Sequence, residues 1–395
     1  MKFRVEREAL ADAVTWAARS LATRPTLPVL AGLLLRVEGD QLSVSGFDLE
    51  ASTEVDLEVT AGEPGQALVS GRLLADITRA LPPHPVDVVM DGSRLAISCG
   101  AARFTLPGMP VDDYPKLPNM PTTAGTVDSG EFALAVSQVA VAAGRDDTLP
   151  MLTGVRLEIE GDKMTLAATD RYRLAVRHLH WEPEDPGAQT GTAVLVPART
   201  LADAARSLAH SDVLTIALSA AAGSGAGEGI IGFAGTTNGR ASRATTRLLD
   251  ATFPAYRSLL PSEWASSAEI PVAPLVEAVK RAALVTDRNA PVRMEFMDST
   301  VTLTAGGDDS ADSGRAEEQL EVSYDGEPIT TAFNPQFLLD GLGALPGPTA
   351  RMLFTSSTKP VVLRPATADS DASDAPPDAE AIGYTYLIMP VRLPG

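Results

Sequence analysis

The sequence predicts an α+β protein built from three copies of one unit, each with two helices packed on antiparallel strands. Two observations carry this. A helix is written twice: RLLADITRAL at 72–81 and RTLADAARSL at 199–208 share R-x-L-A-D-x-x-R-x-L. A strand–turn–strand segment is also written twice, LPVLAGLLLRVEGDQLSVSGFD at 27–48 and LPMLTGVRLEIEGDKMTLAATD at 149–170. The two run in step, with Gly32 over Gly154, Glu38-Gly39-Asp40 over Glu160-Gly161-Asp162, and Asp48 over Asp170. A weaker third form, APVRMEFMDSTVTLTAGG at 290–307, has Asp298-Ser299 in the same turn. A period this long repeats whole domains, not the short units of a solenoid.

Each copy opens with an amphipathic helix. Leu10, Val14, Ala17 and Leu21 share a face in the first, Phe132, Val136 and Val139 in the second, and Leu275, Val279 and Ala282 in the third. Alternating apolar residues around a tight polar turn then give the hairpin. A second helix follows at 72–81, 199–208 and 333–345. Two copies exit alike, through DDYPKLP (112–118) and FPAYRSLLP (253–261), where an aromatic and prolines break regular structure. The boundaries therefore fall near 123 and 262, giving units 1–123, 124–261 and 262–395. Runs of strands around few helices argue against a parallel α/β sheet. AAGSGAGEG (221–229) and the acidic ATADSDASDAPPDAEA (366–381) read as flexible loops.

The second helices place charge in a pattern. At 100° per residue, Leu74, Ile77 and Leu81 share one face, with Arg72 and Arg79 opposite. Leu201, Ala205 and Leu208 do the same, with Arg199 and Arg206 opposite. Arg19 lies opposite the apolar face of the first helix. Exposed helix charges are ordinarily just solvated, and common descent alone would copy them. Yet the net charge is −19, and the six helix windows hold ten basic against nine acidic residues, so sheets and loops carry the acid. Such a total argues, at face value, against nucleic acid.

Other classes find little support. No apolar run reaches the ~18 residues of a membrane span, and MKFRVEREAL lacks a signal-peptide core. Cys99 is alone, so no intrachain disulfide forms. The expectation is a soluble, cytoplasmic protein. His178 and His180 alternate along a strand and offer only two ligands, too few for a metal site. The glycines of GSGAGEG lack the strand–helix context and the Lys of a phosphate loop. No nucleophile–base set stands out, and neither cofactor nor metal is expected.

MKFRVERE, RPTLPVLAGLLL (24–35), ATDRYRLAV (168–176), FPAYRSLLP and YLIMPVRL (386–393) together resemble the bacterial DNA sliding clamps, the β subunits of the replicative DNA polymerase III, across essentially the whole chain. The resemblance implies a head-to-tail homodimeric ring of six clamp domains, with helices lining a hole for duplex DNA. It makes the protein a processivity factor without a catalytic site. It reconciles the charge, since Arg meets phosphate inside while an acidic exterior avoids DNA elsewhere. The DNA-facing set would be Arg19, Arg24, Arg72, Arg79, Arg145, Arg199, Arg206, Lys280 and Arg281. Phe104 and Leu106 would meet Leu284 and Val285 of a second subunit at paired strand edges, the alternative being ordinary core packing.

The polymerase III alpha subunit, the clamp loader and other clamp-motif peptides would dock in a pocket. Matched residue by residue, it takes Leu152, Thr169, Arg173, Leu174, Pro254, Leu259, Asn334, Phe337, Leu387, Met389, Pro390, Val391, Arg392 and Leu393. Apolar residues would make the slot, while Arg and Asn orient the peptide. Ser258 stands where some clamps have Arg, and Asn289-Ala290, Pro150 and Met151 where some have aromatics. The protein would be the housekeeping clamp or a paralogue with altered inhibitor binding.

Overall fold

The computed structural model describes residues 1–22, 24–185, 191–219, 229–285, 290–306, 314–366 and 383–392. The two expected flexible loops fall almost wholly outside these residues, as do Asn289 and Leu393.

Each copy contributes two of the described α-helices: α1 (Arg7–Ala17), α2 (Gly71–Ala80), α3 (Ser129–Ala140), α4 (Ala198–Leu208), α5 (Val272–Ala282) and α6 (Pro335–Ala344). Their apolar stripes are buried as the periodicity requires. α2 buries Leu74 and Ile77, and α4 buries Leu201, Ala205 and Leu208. α1 is shorter than its sequence pattern and passes into a 3-10 turn, so Arg19 sits just beyond the helix.

The repeated hairpins form as expected: Gly32–Glu38 with Gln41–Phe47, Gly154–Glu160 with Lys163–Thr169, and Val292–Met297 with Thr300–Gly306. Each turn starts on a left-handed residue, Gly39 (φ 59), Gly161 (φ 64) and Asp298 (φ 52). Gly and Asp reach this region most easily. The repeated aspartates shape the next turn. Asp48 Oδ1 accepts the N–H groups of Glu50 and Ala51 at 3.0 and 2.7 Å. Asp170 Oδ1 accepts those of Tyr172 and Arg173 at 3.0 and 3.1 Å. In both turns the residue between is left-handed, Leu49 and Arg171, each with φ 80.

The described chain gathers into two compact bodies, and these do not follow the repeats. One comprises 1–133, 160–162 and 181–250, the other 134–159, 163–180 and 251–395. A single strand-pairing rule recurs inside each body. In the first, strand Ala51–Glu58 of copy one receives Arg240–Arg247, the last strand of copy two, with Val55 opposite Ser242. In the second, the counterpart strand Arg173–His180 receives Tyr384–Ile388, the last strand of copy three, with Leu174 opposite Leu387. The third counterpart, Arg315–Glu321, pairs only with Thr300–Gly306 among the described residues. The last strand of copy one, Ala102–Met109, pairs along Arg94–Cys99. On its other side only Gly108 and Met109 are paired. So, among the described residues, one edge of copy three and one edge of copy one stay open.

Candidate functional site

Of the expected cations, Arg72, Arg79, Arg199, Arg206, Lys280 and Arg281 lie on α-helices, and Arg19, Arg24 and Arg145 lie outside them. Arg19, Arg24, Arg72, Arg79, Arg145, Arg199, Arg206, Lys280 and Arg281 are all exposed. Their engagement differs. Arg79 lies 3.7 Å from Asp76, and Arg206 3.7 Å from Asp203, each one turn back on its own helix. Lys280 pairs with Glu277 at 2.9 Å and Arg281 with Glu318 at 2.5 Å. Exposed pairs of this kind are weak, so these cations can exchange a carboxylate for another anion at small cost. Arg72 and Arg199 have no hydrogen bond or ion pair among the described residues.

The second body holds a cleft of about 530 Å³, lined among others by Leu149, Leu152, Tyr172, Arg173, Phe337 and Asp340. Arg145 also lines it. At its floor Arg173 is nearly buried. Its guanidinium bonds Asp170 at 2.9 Å and Asp340 at 2.5 Å, and lies 4.4 Å from the Phe337 ring centroid. Burial pulls this group's pKa down, but Tyr386 and the two carboxylates outweigh it and leave it raised. Tyr172 stacks on Phe337 with centroids 6.2 Å apart. The Met389 N–H donates to the Tyr172 carbonyl at 2.8 Å, and the Val391 N–H to the Ala332 carbonyl at 2.8 Å. These bonds tie the C-terminal segment to the turn at Tyr172 and to the strand Ile329–Phe333. Met389 and Val391 are each 37% exposed, Leu259 49% and Tyr172 56%. This leaves apolar surface beside a rigid ionic floor, which suits an extended peptide with apolar side chains.

Several expected pocket residues work differently. Arg173 faces its own carboxylates, so it holds the cleft in shape. Asn334 accepts the Gln336 and Phe337 N–H groups at 2.9 and 3.3 Å and so caps α6. Thr169 donates to the Arg173 carbonyl at 2.7 Å and closes the turn. Leu152, Leu174 and Leu387 are buried, so they support the slot from below. Pro254 and Pro390 are half-buried, Arg392 is exposed, and Leu393 lies outside the described residues. Tyr172 was missed. It sits inside the quoted motif, but only its stacking on Phe337, 165 positions away in sequence, marks it.

On the open edge of copy one Phe104 is 37% exposed; Leu284, 83% exposed, corrects the expectation of a strand edge, since it and Val285 lie in a 3-10 turn, Ala283–Val285, after α5. Val285 is half-buried. Leu106 also corrects the expectation: it shares a strand face with Phe104 but lies opposite the buried Leu95, and its side chain is 1% exposed. The edge Arg315–Glu321 carries Glu317, Glu318 and Glu321, which the sequence reading passed over.

No group of three or more His, Cys, Asp or Glu could hold a metal among the described residues. His178 Nδ1 lies 2.9 Å from the Thr165 hydroxyl. Burial first, then Lys163, Arg257 and Arg177, push its pKa down to about 4. No described helix is long and apolar enough to cross a membrane.

Three copies, each with one helix bearing two exposed cations, a shared strand-pairing rule and two edges left open among the described residues are the build of a clamp. Family profiles agree. The N-terminal, central and C-terminal domains of the DNA polymerase III beta subunit match residues 1–118, 126–255 and 257–376. A beta sliding clamp of Streptomyces coelicolor is 55% identical over 397 residues, covering all of both chains. The beta sliding clamp homolog GriR of Streptomyces muensis is 45% identical, covering 99% of each. A DnaN sliding clamp from Pseudomonas aeruginosa bound to griselimycin superimposes with a TM-score of 0.85, at 28% identity and full coverage of both chains. The chain belongs to the bacterial DNA polymerase III beta subunit family and is a sliding clamp of DNA replication.

Proposed function

We propose that two copies of this chain close head to tail around duplex DNA and hold the replicative polymerase on it. The observation that carries this is the strand-pairing rule. Each copy's fourth strand receives the last strand of the next copy, twice within the chain. The strand still waiting is Arg315–Glu321, and the last strand still open is Ala102–Met109. Meeting across two molecules repeats the rule, removes two exposed edges, and makes a heterologous contact that closes. Charge supports the match, with Glu317, Glu318 and Glu321 on one edge and Arg103 on the other.

The units run 1–123, 124–261 and 262–395. Their helix arginines face the DNA, reading phosphate and not sequence. The cleft with Tyr172, Phe337 and Met389 takes the polymerase alpha subunit, the clamp loader and other partners by an extended segment. The protein works in the cytoplasm and needs no cofactor and no catalytic site. A second reading, a paralogue with altered inhibitor binding, draws on the 45% identity to GriR, and a titration with griselimycin separates the two.

The helix assignment is tested by changing Arg72, Arg79, Arg199 and Arg206 together to Ala. Each lost phosphate contact should lower the salt slope of DNA binding by about 0.9, with the circular dichroism spectrum unchanged. An unchanged slope would remove these faces from the DNA path.

A further inference from the structure

The cleft of the second body has a polar half whose charges do not cancel. Arg145, Asp146, Asp170, Arg171, Arg173 and Asp340 line it. Asp170 and Asp340 are engaged on both oxygens. Their Oδ2 atoms accept from the Arg173 guanidinium. Asp170 Oδ1 accepts the Tyr172 and Arg173 N–H groups, and Asp340 Oδ1 the Gln336 side-chain amide at 2.7 Å. Asp146 Oδ1 accepts the Thr148 N–H at 3.0 Å and the Thr148 hydroxyl at 2.6 Å. These two bonds first, and the Arg171 charge last, lower its pKa. Asp146 Oδ2 is the carboxylate oxygen left over. Against it stand the guanidiniums of Arg145 and Arg171, both exposed and without a hydrogen bond or ion pair among the described residues. This is a local excess of cation on a chain of net charge −19.

The turn at Arg171 asks for no cation. Arg171 is left-handed at φ 80, and so is its counterpart in copy one, Leu49. Glycine would hold this backbone with less strain, and Leu49 shows that an uncharged side chain also serves. The Arg171 side chain is therefore free to serve the cleft. Apolar surface lies next to it, since Leu149, Tyr172 and Phe337 line the same space. Apolar walls exclude water and strengthen a charge pair formed against them. An Arg fork matches a carboxylate with two parallel hydrogen bonds. The segment that fits presents apolar anchors with a carboxylate beside them.

We propose that the cleft selects partner segments carrying an acidic side chain beside their apolar anchors, and that Arg171 and Arg145 read that carboxylate. The inference rests on the peptide reading of the cleft above and deepens it. It also moves Arg145, which lies outside the helices, from the DNA-facing set to the partner site.

The probes are a polymerase-derived peptide, labelled for fluorescence anisotropy, and copies of it with one Asp or one Asn in turn at each residue flanking its apolar anchors. The full-length clamp is titrated with each at low and at raised salt. At one position Asp should bind about threefold to fivefold tighter than Asn, the upper range of an exposed ion pair, and raised salt should shrink the gap. The readout is the ratio of the two affinities, because a merely loosened cleft would weaken both peptides alike. R171G should remove most of the preference, R145A part of it, and R171E should invert it. R171Q leaves the backbone demand of the turn as it is and covers the case that glycine loosens it. No difference between Asp and Asn at any position, or a preference that survives in both R171E and R145A, would overturn the acidic reading while peptide binding stands. Failure of the parent peptide to bind the unaltered clamp would instead overturn the assignment of the cleft to partners.

Discussion

Arg173→Ala tests the floor of the cleft. The guanidinium is 7% exposed, and its partners Asp170 and Asp340 are 15% and 25% exposed. Removing it leaves two carboxylates facing each other without their shared cation, and Phe337 without its stacked neighbour. Breaking one side of a buried ion pair costs about 3–5 kcal/mol, and solvent reach at Asp340 puts this case near the lower end. About 3 kcal/mol should lower the melting temperature of this body by roughly 6–12 °C. Differential scanning calorimetry reads it directly. The double variant R173M/D340L removes the repulsion between the two carboxylates and should regain part of the loss, Asp170 keeping its charge and its two backbone N–H donors. Binding of a polymerase-derived peptide should fall with R173A because Phe337 and Tyr172 lose their support. If R173A melts within 1 °C of the parent yet loses the peptide, Arg173 contacts the ligand itself and the structural role is wrong.

Other expectations follow from single features. Leu49 is left-handed at φ 80 and 39% exposed, so L49G should stabilise by roughly 0.5–1 kcal/mol in urea denaturation; destabilisation would mean the Leu side chain packs usefully. His178 has its folded pKa pushed down to about 4, so the unfolded chain binds more protons between about pH 6.5 and 4. Its stability penalty is absent above that window and grows as pH falls through it, reaching about 1–2 kcal/mol after solvent screening. H178N should flatten this part of the stability–pH curve, and an unchanged curve would assign the loss elsewhere. Tyr172→Ala and Met389→Ala should each weaken peptide binding about tenfold by fluorescence anisotropy, roughly the 1–2 kcal/mol of an apolar anchor; neutral effects from both would move the peptide off this cleft.

Local chemistry was legible in the sequence. Gly39, Gly161 and Asp298 announce their turns, and Asp48 and Asp170 repeat because each builds the same turn. Helix faces followed from periodicity, since packing selects the same stripe. What escaped were relations across the chain. Asp340 lies 167 positions from Arg173, and no local pattern joins them. Asn334 reads as a pocket amide until the α6 cap is seen. Leu106 matches an interface position, but it packs opposite the buried Leu95 further along the same strand face as Phe104, where the core covers it. The acidic edge 315–321 borders residues outside the described set and carries no apolar signal. The two compact bodies cut through the middle copy because sheets continue from one copy into the next.

The central claim is a closed ring held on DNA by topology. Clamps should be loaded onto a nicked circle with a clamp loader, washed at raised salt, and the circle then cut. Retention on the intact circle and rapid loss after linearisation is the expected result. Equal loss from circle and linear DNA would mean an open or purely adhesive binder, and would contradict the head-to-tail closure drawn from the two open edges.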